Sequence, residues 1–417
     1  MPKFAHMSDI HIGAFRQPEL KGLILNAFES AIDRCISERV AFIIISGDIF
    51  DSNIPDLASV RRATAKMKQA MDTGIRFYVI YGSHDFSPNY ASIVDVLESA
   101  GLFVMVEKNP GLDGRVELEF VQDPSGAKLC GISGKKLSLD REDYKLLEKA
   151  PLENALGFKI FVFHGAIEEM KPPSLEKMEA MSASFLPSGF TYYAGGHVHD
   201  HILKSLPGRQ NIAFPGPLFA TDYSELVPLA HGEQRGFYLV NFEGKEVTNV
   251  EFVPVDVCDI SEIRYSAYGK SSGQVSEELM AIAHQAKVRG QVVLLTVEGE
   301  LSSGKTSDID FLAIRKQILA SDPLIVLSNY SRLSSKALAS PEVPSKPAHV
   351  TERELFQQQI AGVKSEEKKL RGEQGIELSL ELLKVMKEDR NENENKGEYQ
   401  LRMERGGLQV LGLKEDD

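Results

Sequence analysis

The chain has 417 residues, of which 42% are hydrophobic and 26% are charged, and this ordinary balance excludes both a wholly disordered chain and a small stapled scaffold. Its 47 basic and 60 acidic side chains leave a formal charge of -13, which excludes a protein that holds nucleic acid through bulk basic charge. No apolar run approaches the roughly 18 residues of a spanning helix, and the polar opening lacks a signal-peptide pattern, so we expect a cytoplasmic protein without a membrane partner.

Short apolar runs alternate with helical patterns in the first 255 residues, which predicts an α/β domain. Runs of four or five residues rich in Ile, Val, Phe and Tyr are typical of buried strands, and they occur at residues 4–7, 42–45, 77–80, 160–163 and 190–194. Helical patterns occupy residues 20–38, 57–72 and 92–100. Beyond residue 126 strands dominate, so we expect a second, more antiparallel sheet packed on the first, with strands at residues 127–132, 236–242 and 247–253.

Residues 256–333 predict a smaller α+β accessory domain. Its predicted elements alternate between strand and helix and lie at residues 262–268, 275–287, 292–298, 309–319 and 324–329. Residues 334–350 are rich in Pro, Ser and Ala, which predicts an extended linker. The pattern G-x-x-x-x-G-K-T at residues 299–306 matches a phosphate-binding loop, but the unit is too small for that fold and an exposed turn is favoured.

The last segment, residues 351–417, predicts a helical tail. A capping box at residues 351–354 indicates the start of one helix, and residues 376–386 carry the apolar stripes of a second. Residues 387–399 are too polar to pack and predict disorder. A helical pair with little core of its own favours either an external partner groove or folding back onto the accessory domain.

Polar loops rich in Gly, Asp and His follow five of the predicted strands and are the main functional signal. In a sheet-based fold, all five can converge at the carboxyl ends of the strands. Carboxylate oxygens and imidazole nitrogens are ligands that Mn, Fe and Zn accept. A buried histidine or a simple turn explains any single loop equally well, but five such loops favour a metal site. The residues concerned are Asp9, His11, Asp48, Asp51, Ser83, His84, Asp85, His164, His197 and His199.

The loops read D-x-H, G-D-x-x-D, G-S-H-D, a single His and G-H-x-H, and they resemble the motifs of the calcineurin-like metallophosphoesterases. Within that superfamily, their order and spacing resemble the SbcD type of DNA double-strand-break repair nuclease. The resemblance implies a layered α/β/β/α sandwich for residues 1–255 and a DNA-binding capping domain for residues 256–333. It also implies that the helical tail, residues 351–417, binds an ATPase.

Matched position by position, the resemblance assigns two Mn²⁺ ions per chain. It places Asp9, His11 and His199 on one metal, with Asp48 bridging, and it places His164, His197 and Ser83 on the other. His84 would act on the scissile phosphate, Asp85 would orient His84, and Asp51 would be a supporting carboxylate. Ser83 stands where the family has asparagine, so direct ligation, ligation through a water and a missing ligand all stay open.

The function that the resemblance implies is a manganese-dependent DNA nuclease, active as a 3'-5' exonuclease and as a single-strand endonuclease. Its DNA partners would be double-strand ends and single strands. It would act as a homodimer in a double-strand-break repair complex, with an SbcC-like coiled-coil ABC ATPase bound by the tail. Two alternatives stay open: a phosphomonoesterase or protein phosphatase on the same scaffold, and a DNA-tethering subunit whose nuclease is weakened by Ser83.

Overall fold

The structure is a computed structural model that describes residues 1–87, 91–107, 114–135, 139–171, 175, 178–335, 348–360, 367–389, 391 and 396–413. The chain divides into two compact units, Met1–Ser334 and Ser335–Asp417. Most of the linker predicted at residues 334–350 lies outside the described residues. Within the described ranges, no helix is both long enough and apolar enough to cross a lipid bilayer.

The strands of the described residues are numbered in chain order. They are β1 (Lys3–Met7), β2 (Phe42–Ser46), β3 (Arg76–Ile80), β4 (Val104–Met105), β5 (Val121–Gln122), β6 (Lys128–Ile132), β7 (Lys159–His164), β8 (Tyr192–Gly196), β9 (Ile202–Leu206), β10 (Arg209–Phe214), β11 (Gly236–Glu243), β12 (Glu246–Pro254), β13 (Ile260–Ser266), β14 (Val292–Leu301), β15 (Ile325–Asn329) and β16 (Leu333–Ser335). The six strands predicted in the first 194 residues are confirmed as β1, β2, β3, β6, β7 and β8.

The α-helices are numbered in the same way. They are α1 (Pro18–Glu38), α2 (Leu57–Asp72), α3 (Ile93–Ser99), α4 (Arg141–Leu146), α5 (Lys149–Asn154), α6 (Tyr223–Ala230), α7 (Ser272–Gln285), α8 (Phe311–Leu319), α9 (Ala348–Ile360), α10 (Gly372–Met386) and α11 (Lys396–Leu411). The helices predicted at residues 20–38, 57–72 and 92–100 are confirmed as α1, α2 and α3. Asp56 caps α2 by accepting a hydrogen bond from the Ser59 amide, which fixes where that helix begins.

The first sheet has the order β12-β11-β1-β2-β3-β4. Strands β1 to β4 are parallel, and helices α1 to α3 connect them in sequence. The central strand β2 is buried along its whole length, because both faces of the sheet are covered. The carboxyl ends of β1, β2 and β3 therefore lie side by side at one edge of this sheet.

The second sheet has the order β5-β6-β7-β8-β10-β9, and its four inner strands are parallel. This differs from the more antiparallel second sheet that was expected. The strands predicted at residues 236–242 and 247–253 do not join it; they form the hairpin β11–β12, which extends the first sheet by pairing antiparallel with β1. The tight turn at Gly244, with φ of 61°, lets β12 fold directly back on β11.

The two sheets stack face to face around one apolar core. Phe4 and Phe42 of the first sheet share this core with Ile160 and Tyr192 of the second, and the ring centroids of Phe4 and Tyr192 lie 5.2 Å apart. Helices α1 and α2 cover the outer face of the first sheet, and α4 and α5 cover that of the second. The predicted α/β/β/α layering is therefore confirmed.

A third sheet follows, with β13, β14 and β15 parallel and β16 paired with β14. Helices α7 and α8 connect its strands and pack on it. The phosphate-loop pattern does not form such a loop, since Gly299 lies inside β14 and Lys305 precedes a single 3-10 turn at Thr306–Asp308. The boundaries predicted for the nuclease and accessory domains stay predictions.

The second unit is helical, as predicted for the tail. Helix α9 begins at Ala348, before the capping box expected at residues 351–354, and α10 contains the predicted helix at residues 376–386. Helix α11 was not predicted, and its first four residues belong to the segment expected to be disordered. Residues 390 and 392–395 of that segment lie outside the described residues.

Candidate metal centre

The residues predicted to form the site lie at the carboxyl ends of five strands in two sheets. The loops after β1, β2 and β3 carry the members from the first sheet, while the end of β7 and the loop after β8 carry those from the second. Because the sheets are stacked, these ends meet at one edge of the sandwich. The residues there are Asp9, His11, Asp48, Asp51, Ser83, His84, Asp85, His164, His197 and His199.

Strained backbone is concentrated in these loops. Asp9, His11, Asp48 and His197 have φ angles of 52°, 49°, 53° and 86°, in the left-handed region that favours glycine. Each such conformation costs on the order of 1 to 3 kcal/mol and persists only where the surroundings enforce it. Here the Asp9 amide donates to the Gly47 carbonyl at 3.1 Å, and the His11 amide donates to the Asp48 carbonyl at 3.0 Å. The strain is therefore maintained by bonds between neighbouring loops, as in a preorganised site.

Asp9, His11 and His199 form the first ligand cluster, with one ligand atom from each lying within 4.8 Å of the others. The Asp9 carboxylate is fully buried and accepts the His197 amide hydrogen bond at 2.8 and 3.1 Å from its two oxygens. Within the described part of the chain, neither ring nitrogen of His11 makes a hydrogen bond of good geometry. The nearest oxygen of Asp51 lies 3.2 Å from His11 Nδ1. A buried imidazole in this condition fits a cation ligand.

Asp9, Asp48 and His164 form a second cluster with the same spacing, and all three are buried. The cluster contains Asp9, which was expected to serve only the first metal. His197, which was expected in the second set, lies beside it, with its ring centroid 5.2 Å from that of His164. Burial and the charge of His164 lower the pKa of His197 to about 4, so that its imidazole is neutral and can donate a lone pair.

The tautomer of His164 follows from its hydrogen bond. Its Nδ1 lies 2.8 Å from the Ser46 carbonyl oxygen, which can only accept, so Nδ1 carries the proton. The lone pair of a neutral ring then lies on Nε2, which faces an Asp48 oxygen at 3.2 Å. Burial works to lower the pKa of His164, but the carboxylates of Asp48 and Asp9 outweigh it and raise the pKa to about 10. The Nε2 lone pair of His164 and the Asp48 oxygen repel each other at 3.2 Å unless a proton or a cation lies between them. His164 and Asp48 therefore fit a divalent metal.

Asp48 has the position of a bridging ligand. Its Oδ2 lies 3.2 Å from His164 Nε2 and 3.8 Å from His11 Nε2, so one oxygen faces both clusters. Its Oδ1 accepts the His84 amide hydrogen bond at 2.7 Å. Burial works to raise the pKa of Asp48, but the charge of His164 outweighs it and holds the pKa far below its usual range. A Cβ atom on Gly82 would lie 2.1 Å from Oδ1, so only glycine fits at that position.

Ser83 lies beside the second cluster. Its hydroxyl donates to Asp48 Oδ2 at 3.4 Å, and it lines a small pocket together with His164 and His197. Because the hydrogen is directed at Asp48, the lone pairs of the hydroxyl remain available to a cation or a water. The ligand role of Ser83 stays a prediction.

Asp85 does not orient His84, in contrast to the role expected from the sequence. Its oxygens accept hydrogen bonds from the amides of Ile49, Phe50 and Gly82, at 3.0, 3.1 and 3.4 Å. Burial, together with the charge of Asp48, raises the pKa of Asp85 to about 6. The buried carboxylate therefore points into the protein and joins the loops after β2 and β3, while the neighbouring His84 points outward.

Asp51 holds His84 in place of Asp85. His84 Nδ1 donates to the Asp51 backbone carbonyl at 2.8 Å, and the side chain of His84 is 47% exposed. Its ring stands nearly perpendicular to that of His11, with 4.7 Å between the centroids. The imidazole therefore lies at the open side of the site, and one of its nitrogens also lies within 4.8 Å of ligand atoms of His11 and Asp48.

Sequence reasoning missed two side chains that hold His199. Glu225, in the first turn of α6, accepts a hydrogen bond from His199 Nδ1 at 2.5 Å. Arg235 is buried and donates to the backbone carbonyl of His199. The N-cap at Asp222 could have indicated the start of α6, but no motif spacing connects that helix to the loop after β8.

A cavity of about 610 Å³ is lined by His11 and His199 of the first cluster and by Asp48 of the second, whereas His164 lines the small pocket. Among the described residues, the lining of the cavity contains Arg235, four histidines and a larger number of acidic residues, which attract cations and repel a phosphate in their absence. The acidic residues are Asp48, Asp51, Asp200, Asp222, Glu225 and Glu233.

Comparisons with known proteins agree with this geometry. Residues 2–201 match the calcineurin-like phosphoesterase family. The DNA double-strand break repair protein Mre11 of Archaeoglobus fulgidus is 28% identical over 278 residues, which cover 62% of this chain and 62% of that protein. The Mre11 proteins of Methanococcus maripaludis and Sulfolobus acidocaldarius are 26% and 27% identical, over 61% of this chain and 67% and 64% of their own lengths.

The family match covers the strands and loops that form both ligand clusters. It begins before β1 and ends two residues after His199. The relatives align with little more than three fifths of this chain. Residues 2–201 are therefore a calcineurin-like phosphoesterase domain.

Proposed function

We propose that this chain is a DNA nuclease that uses two Mn²⁺ ions. The observation that carries the proposal is the position of Asp48, whose carboxylate lies between two clusters of nitrogen and oxygen ligands. Oxygen and imidazole ligands suit manganese. The DNA repair relatives support DNA as the substrate.

Asp9, His11 and His199 would hold one ion, and His164, His197 and Ser83 would hold the other, with Asp48 between them. Two bound cations would polarise the phosphodiester and lower the pKa of a water. His84 would stabilise the charge that develops on the phosphate and protonate the leaving oxygen. Because Nδ1 of His84 carries a proton and donates it in a hydrogen bond to the Asp51 carbonyl, Nε2 would need a second ring proton, as in the imidazolium form, to donate to the leaving oxygen.

At the level of the complex, the chain would be the 3'-5' exonuclease and single-strand endonuclease of a double-strand-break repair assembly. Residues 256–333 would contact DNA, the tail of α9, α10 and α11 would bind an SbcC-like ATPase, and two chains would form a homodimer. The double-strand break repair names of the relatives support this role. The separate helical unit at Ser335–Asp417 supports a partner-binding tail.

Digestion of end-labelled duplex and single-stranded DNA, run beside a chromogenic phosphomonoester, tests the proposal. We expect manganese-dependent DNA cleavage that chelation abolishes and that Asp48→Ala reduces below detection. Asp72→Ala, on the exposed end of α2, is the matched control and should cleave like the wild type. Turnover of the phosphomonoester alone would favour the phosphatase, and DNA binding without cleavage would favour the tethering subunit.

A further inference from the structure

Glu225 is held in one orientation next to His199. Its side chain is 14% exposed, and its Oε1 accepts the His199 Nδ1 hydrogen bond at 2.5 Å. Its Oε2 accepts from the backbone amide and the hydroxyl of Thr221, at 2.8 and 3.1 Å. The Asp222 side chain in turn caps α6 by accepting from the Ser224 and Glu225 amides. With both oxygens engaged, the carboxylate cannot rotate away from the imidazole.

This contact determines which nitrogen of His199 is available. Because a carboxylate can only accept, Nδ1 carries the proton, and the lone pair lies on Nε2. The backbone of the same residue is fixed by Arg235, which donates to the His199 carbonyl. His199 is thus held at its ring and at its main chain, although it lies in a loop.

We propose that Glu225 is a positioning residue that sets the affinity of the first metal cluster for its cation. The inference rests on the two-metal function proposed above. A carboxylate that accepts the Nδ1 proton of a ligand histidine fixes its tautomer and raises its basicity, and losing such a partner weakens metal binding about 10- to 100-fold. Glu225 therefore acts through His199 and touches neither metal nor substrate.

Calorimetric titration of Mn²⁺ into the full-length chain tests this role. Glu225→Ala should weaken one of two binding steps about 10- to 100-fold and leave the other unchanged. Glu225→Gln, whose amide oxygen can still accept the Nδ1 proton, should recover part of the loss. Asp200→Asn is the matched control, because it removes one charge from the same cavity and should leave both steps near wild type.

A second readout requires no metal. Long-range proton–nitrogen spectra should show the Nδ1-protonated tautomer of His199 in the wild type and its loss in Glu225→Ala. An unchanged tautomer, or equal weakening by Glu225→Ala and Asp200→Asn, would overturn the positioning role. Equal weakening of both steps would also overturn it, since that result indicates general disruption. If the wild type binds no manganese, the proposed function fails as well, whereas wild-type binding that Glu225→Ala preserves overturns this inference alone.

Discussion

His6 is a neutral histidine in the core between the two sheets, and it should make the stability of the protein depend on pH. Its side chain is fully buried, with Nδ1 3.0 Å from the Tyr192 hydroxyl and Nε2 2.9 Å from the Ser46 hydroxyl. Ser46 donates its own proton to the Ala194 carbonyl at 3.1 Å, so it must accept from Nε2. Tyr192 then donates to Nδ1, so the hydrogen bonds of His6 with Tyr192 and Ser46 are both satisfied when His6 is neutral.

The size of this pH effect on the free energy of unfolding follows from the difference between the pKa of His6 in the folded state and its pKa in the unfolded state. Burial lowers the pKa of His6 from its ordinary value of 6.5 to about 3. The folded state therefore binds fewer protons than the unfolded state at every pH between these values. The contribution of neutral His6 to the free energy of unfolding is complete above pH 6.5 and is lost progressively as the pH falls toward 3. At pH 5 the loss is about 2 kcal/mol of the free energy of unfolding.

Urea denaturation followed by circular dichroism at about pH 7.5 and 5 measures this loss. The matched variant is His6→Gln, whose amide can accept from Tyr192 and donate to Ser46 without titrating. We expect the free energy of unfolding of the wild type to fall by about 2 kcal/mol more than that of the variant over this range. Other titrating groups cancel in the comparison, because both proteins carry them. Parallel losses in the two proteins would refute a neutral buried His6.

Three further predictions concern the site and the tail. His84→Gln should abolish cleavage while calorimetry still detects both Mn²⁺ ions, and loss of an ion would make His84 a ligand. Ser83→Asn should tighten the weaker manganese step, whereas Ser83→Ala should weaken it about 10- to 100-fold if the hydroxyl ligates. Unchanged titrations of both variants would remove Ser83 from the ligand set. Deleting residues 351–417 should leave cleavage of short single-stranded DNA intact and abolish co-purification with the coiled-coil ATPase; retained binding would favour the fold-back alternative.

Local patterns explain why so much of the first domain could be predicted. The run at residues 42–45 is apolar throughout, and a loop containing Asp48 follows it directly, so both the strand and the polar residue at its end could be recognised from adjacent sequence. The same holds for His164, which ends β7. Five such coincidences of strand and loop then predict convergence, because parallel strands bring their carboxyl ends to one edge.

Contacts between distant segments could not be predicted in this way. Nothing in residues 236–254 indicates which sheet the hairpin joins, since its alternation fits either one, and pairing with the edge of β1 decides the matter. Glu225 lies 26 residues after His199, on a helix of its own. Asp85 follows His84 directly, yet the turn after β3 directs the Asp85 carboxylate into the protein and the His84 imidazole outward. Each of these outcomes depends on tertiary packing, which short-range pattern does not encode.

The acidic character of the chain acquires a physical explanation at the metal centre. A formal charge of -13 opposes association with DNA, and the cavity itself carries more carboxylates than basic groups. Divalent cations bound between Asp9, Asp48 and the histidines would offset most of this local negative charge, because two of them add four positive charges where the phosphate must lie. On the proposed function, metal binding therefore has to precede productive DNA binding. The positions of the acidic residues favour this order, since some of those that repel a phosphate in the absence of metal, Asp48 and Glu225 among them, would also hold the cations or fix their ligands.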